Sequence, residues 1–186
     1  MNPLDTKKKI LIFIPAYNVA KEILLVIQKI PKEVFNKNSI KILIINDFST
    51  DNTAKEIKKI LEKFKYSFEV FNSKLNLGYG GVQKHAFQYA INNSFDYAIM
   101  LHGDGQYAPE VLPNFIEKFQ DESLDAVFGS RMMSYKSALK GGMPIYKFLG
   151  NIGLTFIQNL ILNSKISEFH SGYRSFKVEA LKKINF

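Results

Sequence analysis

One carboxylate, one imidazole and one amide stand at alternate positions in His102-Gly103-Asp104-Gly105-Gln106. In extended backbone, alternate residues face one side, so His102, Asp104 and Gln106 would share it. Asp104 and Gln106 offer hard oxygen donors suited to Mg²⁺ or Mn²⁺, ions that keep several waters and bind substrate phosphates. Glycines on either side of Asp104 let a bulky ligand approach the backbone. The same stretch also reads as an Asp-Gly turn leaving a strand, with His102 an ordinary polar residue. Asp47, close behind Ile42-Leu43-Ile44-Ile45, stands at the mouth of another strand. A carboxylate there can accept hydrogen bonds from a ribose or a base N–H. Alternatively Asn46-Asp47 starts a turn, and Ser49 and Asp51 cap the next helix. Arg131 and Arg174 are the only arginines beside 23 lysines. Their guanidinium forks match phosphate geometry, so near a metal they would neutralise a diphosphate or hold a phosphorylated acceptor. An ion pair with a nearby Asp or Glu is the alternative for each.

These residues need elements that bring them together. Ile10 to Ile14 is a continuous apolar run closed by Pro15, as in a strand buried on both faces. Similar runs lie at Ile40 to Ile45, Phe68 to Phe71, Tyr97 to Leu101 and Ala126 to Phe128. Between them come helical patterns. Ile57, Ile60, Leu61 and Phe64 recur at i, i+3, i+4 and i+7 behind Asp51, and Val111, Leu112, Phe115, Ile116 and Phe119 form a second stripe behind Pro109. Strands alternating with helices predict βαβ units and a mostly parallel sheet, with ligands beyond the carboxyl ends of the strands. The polar residues fall there: Pro15-Ala16-Tyr17-Asn18, Asn46-Asp47, His102-Gly103-Asp104 and Gly129-Ser130-Arg131 each follow an apolar run. Asn76-Leu77-Gly78-Tyr79-Gly80-Gly81 precedes a helix to about Asn92. It offers a phosphate cradle at a helix N-terminus, although it matches no established glycine-rich fingerprint. Met132 to Pro144 reads as a mobile loop leading into a helix from about Tyr146 to Leu162.

Composition excludes several classes. A chain of 186 residues, 46% hydrophobic, is expected to be a single domain, residues 1–186. Without cysteine it has no disulfide framework, thiolate zinc site or cysteine nucleophile. The formal charge of +8 is spread over scattered lysines. No compact basic run interleaves with aromatics, which argues against a nucleic-acid groove. A mild attraction to anionic membrane surfaces or phosphorylated ligands is consistent with the charge. Phe148 to Leu162, the best apolar stretch, is shorter than the ~20 residues of a bilayer span and carries Asn151, Thr155, Gln158 and Asn159. No signal-peptide cleavage site follows the basic N-terminus, so a soluble, cytoplasmic domain is expected.

In order, IPAYN (14–18), INDFSTDNT (45–53), NLGYGG (76–81), LHGDGQYAPE (101–110), GSR (129–131) and HSGYRSF (170–176) resemble family-2 glycosyltransferases of the GT-A fold. Among these the chain is similar to dolichol-phosphate mannose synthase-like enzymes, which move a sugar from a nucleotide donor to a polyprenyl phosphate. The resemblance implies an α/β, Rossmann-like sheet flanked by helices. It also implies that Pro15, Ala16, Tyr17, Asn18 and Asp47 line a nucleoside pocket with Gly78 nearby. Asp104 and Gln106, with His102 in place of the usual first carboxylate, would hold Mg²⁺ or Mn²⁺ on the diphosphate. Arg131, Arg174 and Ser171 would face the acceptor and leaving phosphates. Val19 and Ala20 replace usual acidic residues, and Glu168 replaces a usual aspartate.

The function this implies is an inverting, metal-dependent hexosyltransferase using a UDP- or GDP-linked donor and a polyprenyl-phosphate acceptor at the inner face of the cell membrane. Transfer to a sugar hydroxyl in cell-envelope polysaccharide synthesis is the alternative, with Glu168 as base. A catalytically impaired nucleotide-binding module is a further reading, suggested by His102. A nucleotidyltransferase would carry a glycine-rich basic loop where this chain has Pro-Ala-Tyr-Asn. Relatives usually continue beyond the helix starting near Val178, so a fragment truncated at its C-terminus is expected.

Overall fold

The computed structural model describes residues 7–130, 132 and 144–186. Its strands are β1 (Lys9–Ala16), β2 (Ser39–Asn46), β3 (Phe68–Asn72), β4 (Tyr97–Met100), β5 (Ala126–Phe128) and β6 (Arg174–Lys177). They form one sheet in the order β3-β2-β1-β4-β6-β5. β1 pairs in parallel with β2 and β4, and β2 with β3, while β6 runs antiparallel to β4. The five apolar runs are therefore strands, in the α/β sheet expected. β6 was not foreseen. Four residues, Arg-Ser-Phe-Lys, three of them polar and next to a glycine-containing turn, do not announce a strand, and only pairing with β4 makes one.

Helices α1 (Ile23–Gln28), α2 (Val34–Lys37), α3 (Thr53–Lys63), α4 (Gly78–Asn92) and α5 (Leu112–Lys118) lie between the strands. A single 3₁₀ turn, Pro109–Val111, leads into α5. α6 (Ile145–Leu162) falls between β5 and β6, and α7 (Val178–Leu181) follows β6. Two compact units result: Met1–Val127 with Arg174–Phe186, and Phe128–Tyr173.

In the first unit, β1 is buried from Ile10 to Ile14. Alternation sends Leu11 and Phe13, with Leu43 and Ile45 of β2, to the face where Val82, Ala86, Phe87 and Ala90 of α4 close the core. Phe13 meets Phe87 edge to face, with ring centroids 5.8 Å apart. Ile10, Ile12, Ile14, Ile42 and Ile44 are equally buried on the other face. A strand covered on both faces needs apolar residues at every position, which is why β1 and β2 read as continuous runs. In the second unit α6 is 18 residues long, and by length and composition it is apolar enough to cross a membrane. The helix begins one residue before the Tyr146 expected, so the apolar stretch counted from Phe148 extends three residues further back, to Ile145.

Phe13→Ala is expected to cost about 3–5 kcal/mol, because the hole would lie between a sheet and a helix that cannot both collapse into it. Urea unfolding followed by circular dichroism measures this.

Candidate active site

Parallel pairing carries the chain out of β1, β2 and β4 at one edge of the sheet. The first two exits are tied together. Asn18, in left-handed backbone at φ 53°, accepts hydrogen bonds at Oδ1 from Thr50 N at 2.8 Å and Asp51 N at 3.3 Å. Its own N–H donates to Ser49 Oγ at 3.1 Å. Val19 N donates to the buried Thr53 Oγ1 at 2.8 Å, and Thr53 Oγ1 donates to Asp51 Oδ1 at 2.5 Å. Asp51 also accepts Thr53 N and Ala20 N. Desolvation pushes the Asp51 carboxyl up, but these hydrogen bonds together outweigh it and hold it below its ordinary 3.8. α3 starts at Thr53 with Asn52 in the cap position, so Asp51 acts one residue earlier than the sequence suggested.

Asp47 is only 4% exposed, and its partners are the start of α4. Leu77 N donates to Oδ1 at 2.6 Å and Gly78 N to Oδ2 at 3.0 Å, while Asn76 Nδ2 reaches the Asp47 carbonyl at 3.3 Å. A carboxylate receiving two amides at a helix N-terminus gains from both charge-assisted bonds and the helix dipole. Gly78 takes φ +69°, a conformation that a side chain would strain. The phosphate cradle expected at this helix end thus has two of its N–H groups taken up by Asp47.

Beyond β4 the chain turns instead of staying extended. Gly103 N donates to Pro15 O at 3.3 Å, and a Cβ at Gly103 would sit 2.8 Å from that oxygen. Gly105 has φ +71°, and Asp104 Oδ1 accepts Gln106 N at 3.0 Å. His102, Asp104 and Gln106 therefore do not line one side as alternating strand residues, because the two glycines and the Asx bond favour a turn. The His102 ring lies near two tyrosines, with centroids 5.8 Å from Tyr79 and 4.8 Å from Tyr107.

These loops enclose a cleft of about 320 Å³, the lower end of ligand-site volumes. Pro15, Ala16, Tyr17, Asp47, Gly78, His102 and Asp104 line it, and all seven were singled out from sequence. Asn18 and Gln106 are not among its lining residues; Asn18 ties the loops and Gln106 is exposed. Asn76, Tyr79 and Val82 also line it. The glycine-rich segment preceding α4 was the signal for Asn76 and Tyr79. Burial raises the Tyr79 phenol above its ordinary 10.0, while the Arg174 cation pulls the other way, which puts that charge near the cleft wall.

Two predicted residues belong to the second unit. Glu168, 1% exposed, accepts Asn151 Nδ2 at 3.0 Å, and Asn151 Oδ1 accepts Thr155 Oγ1 at 3.1 Å. Ser171 is buried and accepts Tyr173 N at 3.2 Å. Arg131, and residues 133–143 of the loop expected from Met132 to Pro144, lie outside the described residues. Among the described residues no three His, Cys, Asp or Glu side chains cluster as a self-sufficient metal centre. One carboxylate and one imidazole on the cleft wall suit a cation that draws its other ligands from substrate phosphate and water.

Residues 11–185 match the model of glycosyl transferase family 2. The chain is 32% identical over 186 residues to the UDP-N-acetylglucosamine--dolichyl-phosphate N-acetylglucosaminyltransferase of Methanococcus voltae, covering 94% of this chain and 72% of that one. Among solved structures it resembles the mannosyltransferase PcManGT of Pyrobaculum calidifontis in complex with GDP-Man and Mn²⁺. The TM-score is 0.63 and the identity 16%, over 96% of this chain and 47% of that one. It also resembles the Mycobacterium tuberculosis glucosyl-3-phosphoglycerate synthase in complex with Mn²⁺, UDP and phosphoglyceric acid. There the TM-score is 0.60 and the identity 16%, over 96% of this chain and 59% of that one. The chain thus spans less than two thirds of either solved chain, and these likenesses establish the GT-A fold.

Gly103→Ala is expected to displace the β4 exit from Pro15 and weaken nucleoside diphosphate binding at least tenfold, as isothermal titration calorimetry would record. Asp51→Asn should abolish a pH-dependent contribution. A carboxyl held below its unfolded value stabilises fully above about pH 5 and loses that contribution as pH falls through its folded value. Acid unfolding of the variant, read by circular dichroism, should accordingly be shallower below about pH 4 than that of the parent.

Proposed function

The chain belongs to glycosyl transferase family 2, and we propose that it transfers a hexose from a UDP- or GDP-linked donor to a polyprenyl phosphate with inversion. The observation that carries this reading is the cleft at the strand ends, where Pro15-Ala16-Tyr17, Asp47 and His102-Gly103-Asp104 converge. The Methanococcus voltae relative, named for a dolichyl-phosphate acceptor, supports the lipid phosphate. With such an acceptor the reaction would take place at a membrane surface, and the proposal assigns it to the cytoplasmic one.

Pro15, Ala16 and Tyr17 supply an apolar and aromatic wall for the nucleoside. Asp47 holds α4 against that wall, and Gly103 lets the exit of β4 lie against Pro15, which keeps Asp104 at the cleft. Asp104 and His102 would hold Mg²⁺ or Mn²⁺, whose chemistry when bound is to screen the negative charge of the departing diphosphate. Arg174 adds a fixed positive charge near the same wall. The acceptor oxygen attacks the anomeric carbon from the face opposite the diphosphate, so positioning provides much of the rate. A phosphate acceptor is anionic at neutral pH and needs no general base. The burial of Glu168 and its bond to Asn151 favour that acceptor over a sugar hydroxyl, which would require an accessible carboxylate.

Incubation with UDP-N-acetylglucosamine, UDP-glucose or GDP-mannose, a short polyprenyl phosphate and Mg²⁺ or Mn²⁺ should yield a glycosylated lipid phosphate, identified by mass spectrometry. Asp104→Ala is expected to lower kcat by about 10²–10³. Binding of every nucleotide without transfer to lipid phosphate would overturn the acceptor; binding of none would overturn the donor site.

A further inference from the structure

α6 is built inside out. Along it Asn151 and Thr155, both polar, are the buried residues, while its large apolar side chains, apart from the half-buried Phe148 and Ile152, face outward. Tyr146 is 72% exposed, Phe156 68%, Leu160 74% and Ile161 75%. A soluble helix buries its apolar stripe and shows its polar one, and this helix does the reverse. The inward side is polar because it is bonded. Asn151 reaches Glu168, and Asn159 takes Ile166 N at 2.9 Å and gives its Nδ2 to Ile166 O at 2.8 Å. Ser164 Oγ also donates to Asn159 Oδ1 at 2.8 Å. Residues 164–168 therefore run back along the helix as a polar strap.

We propose that α6 seats the protein on an anionic bilayer, lying in the interface with Tyr146, Phe156, Leu160 and Ile161 directed into the acyl boundary. At ~1.5 Å per residue, 18 residues reach about 27 Å, close to the hydrocarbon thickness. The strap excludes a spanning arrangement, because its backbone and the buried Glu168 carboxylate would have to enter hydrocarbon beside the helix. An in-plane helix leaves strap and carboxylate on the protein side and immerses only the apolar face. Charge identifies the surface. From Ala126 to Ser167 the sequence contains no Asp or Glu, yet it carries Arg131, Lys136, Lys140, Lys147 and Lys165. A segment of one sign complements anionic headgroups, and basic residues near such a surface each add attraction. A second copy of the helix would meet the same positive charges, which disfavours self-association as the cover. The proposal depends on neither the sugar nor the acceptor.

The chain has no tryptophan, so single Phe156→Trp and Leu160→Trp variants give clean fluorescence reporters. The probes are vesicles of phosphatidylcholine with about 30% phosphatidylglycerol, with and without brominated acyl chains, and no acceptor lipid. Both reporters should shift blue and be quenched by bromine, while Leu75→Trp, on an exposed loop of the first unit, should not. A Leu160→Glu, Ile161→Glu double variant should partition at least tenfold less while binding nucleoside diphosphate as the parent does. Partition should also fall at least tenfold on pure phosphatidylcholine or in high salt. Absence of partition, equal quenching at Leu75, or a dimer in sedimentation equilibrium that the double variant dissolves would each overturn the proposal.

Discussion

Much of the candidate site rests on one buried carboxylate. Asp47 leaves the end of β2 and receives the amides of Leu77 and Gly78, so it closes the gap between a sheet edge and the first turn of α4. Both partners gain: the helix satisfies two of its unpaired N–H groups, and the carboxylate, nearly excluded from water, receives the hydrogen bonds its burial demands. Because α4 also packs Val82, Ala86 and Phe87 against β1 and β2, the anchor and the core hold the same helix at two points. Asn76, Gly78 and Tyr79 reach the cleft as a consequence of that fixed start.

The neighbouring loops follow a related logic. Asn18 and Phe48 both occupy left-handed backbone, at φ 53° and φ 60°, where residues other than glycine are uncommon. Asn18 is compensated by the bonds its side chain makes to Thr50 and Asp51. For Phe48, 53% exposed, the bonds around Ser49 and Asp47 over-determine the backbone instead. Gly103 solves the opposite problem, since its backbone comes too near Pro15 for any side chain. The cleft is thus shaped by hydrogen-bonded loops pressed against one another.

The second unit shows polar bonding in the place usually held by apolar packing. Asn151, Thr155, Asn159 and Glu168 bind α6 to its own return segment, and this is what leaves the apolar side chains outward. Glu168 accordingly has a positional role in addition to any chemical one. A family-2 glycosyltransferase whose proposed acceptor is lipid-borne has a use for such a surface, since it confines the search for the acceptor to two dimensions.

Continuous apolar runs in β1 and β2, the stripe of α3 and the polar residues following each run were readable because burial on two faces, or on one helical face, leaves a periodic mark in the chain. Pro15, Ala16, Tyr17, Asp47, His102 and Asp104 were legible because a parallel sheet delivers strand ends to one edge, and Gly78 because a glycine-rich segment precedes α4. What periodicity does not encode is partnership over long separations. β6 exists because β4 offers an open edge, Asp47 turns toward α4 because two amides lie there, and Gln106 leaves the cleft because the glycines flanking Asp104 let the chain turn. The outward face of α6 was equally hidden. Its sequence shows only that it is apolar with a few amides, and the strap bonded to those amides decides which side meets the surroundings.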